Sequence, residues 1–153
     1  MILTTMCYMK KNNQTLLLHR IKKENDINAG KWIGVGGKFE EGESAEECMM
    51  REVKEETGLT INHMKLHGFV SFPQLYHGQD EGMFIYTCDD FSGQLNEVCD
   101  EGVLKWVDDD QISSLPMWEG DYHFFNWIDD NHFHSAKIVY ENNHIVEYKE
   151  SIY

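Results

Sequence analysis

The chain has 153 residues, 41% of them apolar, and a formal net charge of −14. That length suits one domain with a sizeable core, and the composition is globular rather than disordered. So acidic a balance disfavours polymeric nucleic acid and anionic membrane as partners, and no apolar run reaches membrane-spanning length.

The opening Met1-Ile2-Leu3-Thr4-Thr5 lacks the basic flank and long apolar stretch of a signal peptide, so a cytoplasmic protein is expected. Leu3–Met9 and Thr15–His19 read as β-prone runs around the polar turn Lys11-Asn12-Asn13, a hairpin. Lys31–Gly34 reads as a further short strand. The spacing predicts a helix over 44–57: Ser44 and Glu47 form a capping box, Ala45, Met49 and Val53 an apolar ridge, and Gly58 a stop. Strands follow at Leu66–Phe72, Met83–Cys88 and Val103–Val107, with a turn of helix near Asp110–Ser114. A second helix over about 121–130 places Phe124, Phe125, Trp127 and Ile128 for burial. Lys137–Tyr140 and Ile145–Tyr148 flank the turn Asn142-Asn143. Strands before, between and after two helices predict an α+β protein, a mixed sheet covered by helices. No repeat, linker or composition break divides the chain, so one domain over 1–153 is expected, as a monomer or homodimer. The cysteines Cys7, Cys48, Cys88 and Cys99 are scattered and form no C-x-x-C pair, which predicts reduced, buried thiols.

Much of the negative charge is concentrated between Glu40 and Glu56. Glu52, Glu55 and Glu56 stand at i, i+3 and i+4 and share one helix face. Like charges so placed destabilise a bare helix by about 0.2–0.5 kcal/mol per pair, a repulsion that bound cations convert into ligation. Carboxylate oxygens suit Mg²⁺ or Mn²⁺, which bridge protein carboxylates to phosphates. The preceding Gly36-Gly37 lets backbone approach a ligand closely, and Arg51 can brace one carboxylate through paired hydrogen bonds. Such parts suffice for metal-assisted attack of water on a phosphoryl centre. The bland alternative is a solvated acidic helix face.

Gly37, five residues, Glu43, seven residues, then Arg51-Glu52-Val53-x-Glu55-Glu56-x-Gly58-Leu59 resembles the Nudix box at every specified position. The resemblance implies an α/β/α sandwich around a mixed sheet, and hydrolysis of a nucleoside diphosphate linked to another moiety. It makes Glu52, Glu55 and Glu56 metal ligands, joined by the Gly36 or Gly37 carbonyl. Glu101 falls where related enzymes carry a distal glutamate acting as ligand or base. Water is then the nucleophile, deprotonated by Glu55, Glu52 or Glu101.

The stretches Gly30–Lys38, Met117-Trp118-Glu119-Gly120-Asp121 and Phe133–Lys137, with Phe72, look like the MutT-type oxidised-purine triphosphatases. These convert a damaged triphosphate such as 8-oxo-dGTP to monophosphate and pyrophosphate. Trp118 and Phe72 are placed by this likeness to sandwich a purine, and Asp121 to hydrogen-bond its edge, with core packing and helix N-capping as their plain alternatives. Ile33 stands where eukaryotic relatives carry an asparagine that reads the base, and Gly120 replaces one of their two aspartates. Lys22, Lys23 and Lys38 are available to balance phosphates. His132-x-His134 lacks the companion ligands of a metal site and reads as surface or packing. Pro73 and Tyr76 lie near positions that mark subfamilies acting on ADP-ribose and dinucleoside polyphosphates. A Nudix-fold sensor that binds without cleaving is expected to carry a broken box, and here every box carboxylate is present.

Overall fold

The computed structural model describes residues 1–22 and 26–153. Among them the chain runs β1 (Ile2–Lys11), β2 (Gln14–Arg20), β3 (Trp32–Ile33), β4 (Val35–Lys38), α1 (Ala45–Thr57), β5 (Thr60–Tyr76) and β6 (Gln79–Ser92). There follow β7 (Val98–Cys99), β8 (Gly102–Asp108), a 3-10 turn (Asp109–Ser114), α2 (Glu119–Trp127), β9 (His134–Glu141) and β10 (His144–Ile152). The strands form one mixed sheet in the order β10-β9-β5-β6-β1-β2-β8-β7, with β1–β6 and β5–β9 parallel.

Strand alternation assigns the two helices to opposite faces of this sheet. Along β1, Met6 and Tyr8 join the cluster containing Phe124 and Trp127 of α2, whereas Cys7 and Met9 join the cluster containing Met49 and Val53 of α1. Leu17 and its neighbours Leu16 and Leu18 divide in the same way on β2. The result is the expected α/β/α arrangement. Turn chemistry sets the hairpins. Asn12 and Asn13, and again Asn142 and Asn143, all adopt positive φ, the conformation that two-residue hairpin turns demand and asparagine tolerates.

Past their shared turn β1 and β2 diverge, and β3 and β4 fill the fork. Thr4–Cys7 pair with β4, while Leu18 and His19 pair with β3. Gly36 is obligatory in this wedge, since a Cβ there would lie 2.0 Å from the Thr5 carbonyl oxygen. The fork carries the glycine turn to the foot of α1.

Helix α1 has the boundaries that its caps dictate. Ser44 accepts from the Glu47 N–H, the Glu47 side chain returns to the Ser44 N–H, and Gly58 closes the helix at φ 80°. A cap of this kind stabilises by about 1 kcal/mol. Helix α2 differs from expectation at both ends. It begins at Glu119 behind Trp118, which provides no side-chain cap, and ends at Trp127. Asp121 therefore lies inside the first turn, its N–H bonded to the Trp118 carbonyl, and is not an N-cap. Strands β5 and β6 also run well beyond the apolar runs that announced them, joined at His77-Gly78 as one long hairpin. All four cysteines are free, three buried and Cys99 partly exposed. Among the described residues no helix is long and apolar enough to cross a membrane.

Candidate active site

The acidic face of α1 meets the glycine wedge at one cavity. Its lining includes Gly36, Gly37, Lys38, Glu52, Glu56 and Glu101. Gly37 lies directly under the helix: a Cβ there would lie 2.5 Å from the Glu52 carboxyl carbon. Only a bare α-carbon allows that carboxylate its position.

Arg51 is the organiser. Its Nε and Nη2 donate to the two oxygens of Glu43 at 2.7 and 2.8 Å, and Nη1 donates to Glu52 Oε1 at 2.8 Å. Nη2 also reaches the Lys38 carbonyl at 3.1 Å, tying helix to wedge. Hydrogen bonding to Arg51 holds the Glu43 carboxyl down at about 2. The fork geometry of guanidinium allows these contacts together, which an ammonium cannot reproduce.

Glu52 and Glu56 shift the other way from Glu43. Burial raises the Glu52 carboxyl above its ordinary range, Arg51 opposing the shift. Glu56 is pushed well up by burial first, then by the Glu101 and Glu52 charges, against a backbone hydrogen bond from Gly36. Its Oε2 is buried with no hydrogen-bond partner among the described residues. Glu101 is paired with Arg20, whose Nη1 donates to it at 3.1 Å.

Not every expected ligand is gathered. Glu55 is outside the lining, its side chain 59% exposed and drawn to Arg51 Nη1 at 3.2 Å. The Gly37 carbonyl accepts from Thr5 Oγ1 at 3.4 Å and the Cys48 thiol at 3.7 Å, while Gly36 contributes its N–H to Glu56. Among the described residues no three His, Cys, Asp or Glu side chains are arranged to hold a metal ion as they stand. Mutual repulsion accounts for the spread: Glu52 and Glu101 turn toward arginines and Glu56 toward a backbone N–H. The donor set nevertheless fits a hard divalent cation. It is all oxygen, it concentrates negative charge in a buried place, and it leaves Glu56 Oε2 without a partner.

A second cavity of about 190 Å³ adjoins the first, lined by Ile33, Phe72, Trp118, Asp121 and Tyr140 among others. Phe72 and Trp118 are 4% and 9% exposed, so they pack in the core and face the cavity together. Trp118 Nε1 donates to Asn28 Oδ1 at 2.6 Å, and Lys31 Nζ lies 4.7 Å from its ring centre. Tyr140 packs against both rings, 5.0 Å from Trp118 and 6.1 Å from Phe72. Burial alone raises Asp121 to about 7, so near neutral pH it both donates and accepts. Gly120 follows from Tyr140: its N–H donates to the phenol oxygen at 2.8 Å, where a Cβ would lie 2.7 Å away.

Lys38 lines the acidic cavity with its Nζ 5.7 Å from the Tyr76 ring centre. Lys22 turns instead to the Cys99 carbonyl at 3.1 Å, and Lys23 lies outside the described residues. His134 is buried against Trp127 and hydrogen-bonded to Asp130 and Glu150, a packing role. Asn28, Glu81 and Tyr140 were invisible as site residues in the sequence. Glu81 alone had a signal: it occupies an inward position in the alternation Glu81, Met83, Ile85.

Comparison with known proteins identifies the family. A family model described as the NUDIX domain matches residues 3–128. The Bacillus subtilis protein called uncharacterized Nudix hydrolase YvcI is 34% identical over 127 residues, 81% of this chain and 77% of that one. An oxidized purine nucleoside triphosphate hydrolase of Danio rerio is 34% identical over 103 residues, 67% of this chain and 65% of its own length. The solved MutT protein of Bacillus halodurans superimposes with a TM-score of 0.83 at 27% identity, over 99% of this chain and 98% of that one.

Proposed function

The chain belongs to the Nudix family and is a hydrolase of that family, whose members use divalent metal ions and act on small nucleotides; from that premise, we propose that it hydrolyses an oxidised purine nucleoside triphosphate, 8-oxo-dGTP foremost, to monophosphate and pyrophosphate. The reading makes it a sanitiser of the nucleotide pool. One observation carries it: the aromatic cavity with Asp121 at its wall opens into the acidic one, six residues lining both. A nucleotide laid across them has its base against Trp118 and Phe72 and its phosphates at the carboxylates.

Glu52, Glu56 and Glu101 are the side chains that would hold Mg²⁺ or Mn²⁺, which when bound offsets their charge and polarises phosphate oxygens. Of the three base candidates Glu55, Glu52 and Glu101, the reading favours Glu52 and Glu101, which line the cavity. Glu55, held outside by Arg51, serves by tuning the helix face. Lys38 faces the phosphate end and favours the anionic substrate. Asp121, half protonated near pH 7, matches a purine edge that presents both donors and acceptors.

The test is a panel of 8-oxo-dGTP, dGTP, ADP-ribose and a dinucleoside polyphosphate with Mg²⁺, compared by kcat/KM. The expected result is highest kcat/KM for 8-oxo-dGTP, with pyrophosphate released. Preference for ADP-ribose or a dinucleoside polyphosphate moves the chain to another Nudix activity, and binding without release of product removes the catalytic reading.

A further inference from the structure

Glu81 is a carboxylate that neither base stacking nor metal binding uses. In the antiparallel register of β5 and β6 it stands opposite Phe72, so both side chains lie on one face of the sheet, with Met83 two residues along. It is 7% exposed, and among the described residues its hydrogen-bond partner is Thr4, whose Oγ1 donates to Oε2 at 2.8 Å. Burial raises its pKa above the usual carboxylate range. Desolvating a carboxyl beside Phe72 and Met83 costs free energy that an apolar side chain of the same size avoids.

Its location gives that cost a use. Among the described residues Glu81 is the one carboxylate that lines both cavities, in company with Met6, Asn28, Ile33, Tyr76 and Met83. A nucleotide with its base on one side of this seam and its phosphates on the other puts its sugar at the seam. The groups a sugar offers there are hydroxyls, which donate and accept and so pair with a carboxyl in either protonation state.

We propose that Glu81 hydrogen-bonds a sugar hydroxyl of the bound nucleotide and thereby sets which sugar the enzyme takes. The proposal rests on the nucleotide triphosphate reading above and deepens it. Thr4 is the residue that positions Glu81, holding Oε2 so that the rest of the carboxyl faces the seam.

The experiment compares kcat/KM for 8-oxoguanine triphosphates in ribo, 2′-deoxy and 2′,3′-dideoxy form, in the wild type, Glu81→Gln and Glu81→Met. Each ratio is taken within one protein preparation, so a partly folded variant does not distort it. In the wild type, removing the hydroxyl that Glu81 reads lowers kcat/KM by about tenfold or more. Glu81→Met flattens that step to within about twofold, and Glu81→Gln keeps part of it. A wild type indifferent to all three sugars, or a Glu81→Met variant that keeps the full step, overturns the assignment while the nucleotide reading stands. A wild type that turns over none of the three overturns both.

Discussion

The two cavities that meet at Glu81 are built on opposite physical plans. The acidic one crowds like charges together and relies on Arg51, Arg20 and glycine backbone to keep them in place. The aromatic one is apolar, its walls packed as core, with Asp121 isolated and near half-protonation at neutral pH. Charge that repels itself has one use, to be joined by a cation and phosphate, whatever base the substrate carries. A largely apolar pocket with two buried carboxyls, Asp121 and Glu81, discriminates, because its contacts depend on the ring placed in it. Damage to the first should lower turnover of every substrate alike, and damage to the second should change the ratios between substrates.

Glu56→Gln breaks the comparison most severely if it is wrong. Turnover with Mg²⁺ is expected to fall on the order of a thousandfold or more, equally for every nucleotide hydrolysed. The fold should persist, since a neutral amide relieves the burial and repulsion at that side chain. Near-normal kcat in a folded variant would place the chemistry elsewhere.

Gly37→Ala has a smaller expected effect of the same kind. The added methyl would push the Glu52 carboxylate aside, and a displacement of about 1 Å lowers turnover on the order of a hundredfold. A circular dichroism melt run beside the assay separates this from unfolding. Wild-type kcat would mean that Glu52 tolerates another position.

Asp121→Asn sharpens the comparison from the aromatic side. The Asp121 carboxyl sits at about 7 in the fold against its ordinary 3.8. Between those values the unfolded chain releases a proton that the native chain retains, so this group's contribution to stability declines as pH rises and levels off above about 7. Asparagine is neutral throughout. The variant should melt close to the wild type near pH 4 and above it near pH 8, by about 2–4 °C for each kcal/mol relieved. Parallel melting curves across that range would show Asp121 ionised in the fold. The same variant should change 8-oxo-dGTP and dGTP turnover by different factors, and so alter their ratio.

How far each cavity was legible follows from how its residues are spread along the chain. The acidic site comes from one stretch, Gly36 to Glu56, in which helix spacing, caps and glycines all act locally, so Ser44, Glu47 and Gly58 announced the helix that the structure contains. Glu101 was reached only by resemblance, because a distant strand end supplies it. The exclusion of Glu55 was not legible either: i, i+3, i+4 spacing puts three carboxylates on one face but says nothing of Arg51 drawing one outward. The aromatic cavity collects Asn28, Phe72, Glu81, Trp118 and Tyr140 from five separate elements or loops. Tyr140 reads from sequence as an ordinary strand residue. Asp121 misled for a local reason: an aspartate before an apolar run is the usual sign of an N-cap, yet packing of Trp118 starts the helix two residues earlier.

Gly120 and Tyr140 are locked to one another. With the phenol in place, a Cβ at position 120 would lie 2.7 Å from its oxygen and would have to push the ring aside, and with that glycine in place the phenol gains a backbone donor. A side chain at 120 therefore requires the ring to shift and to give up that donor.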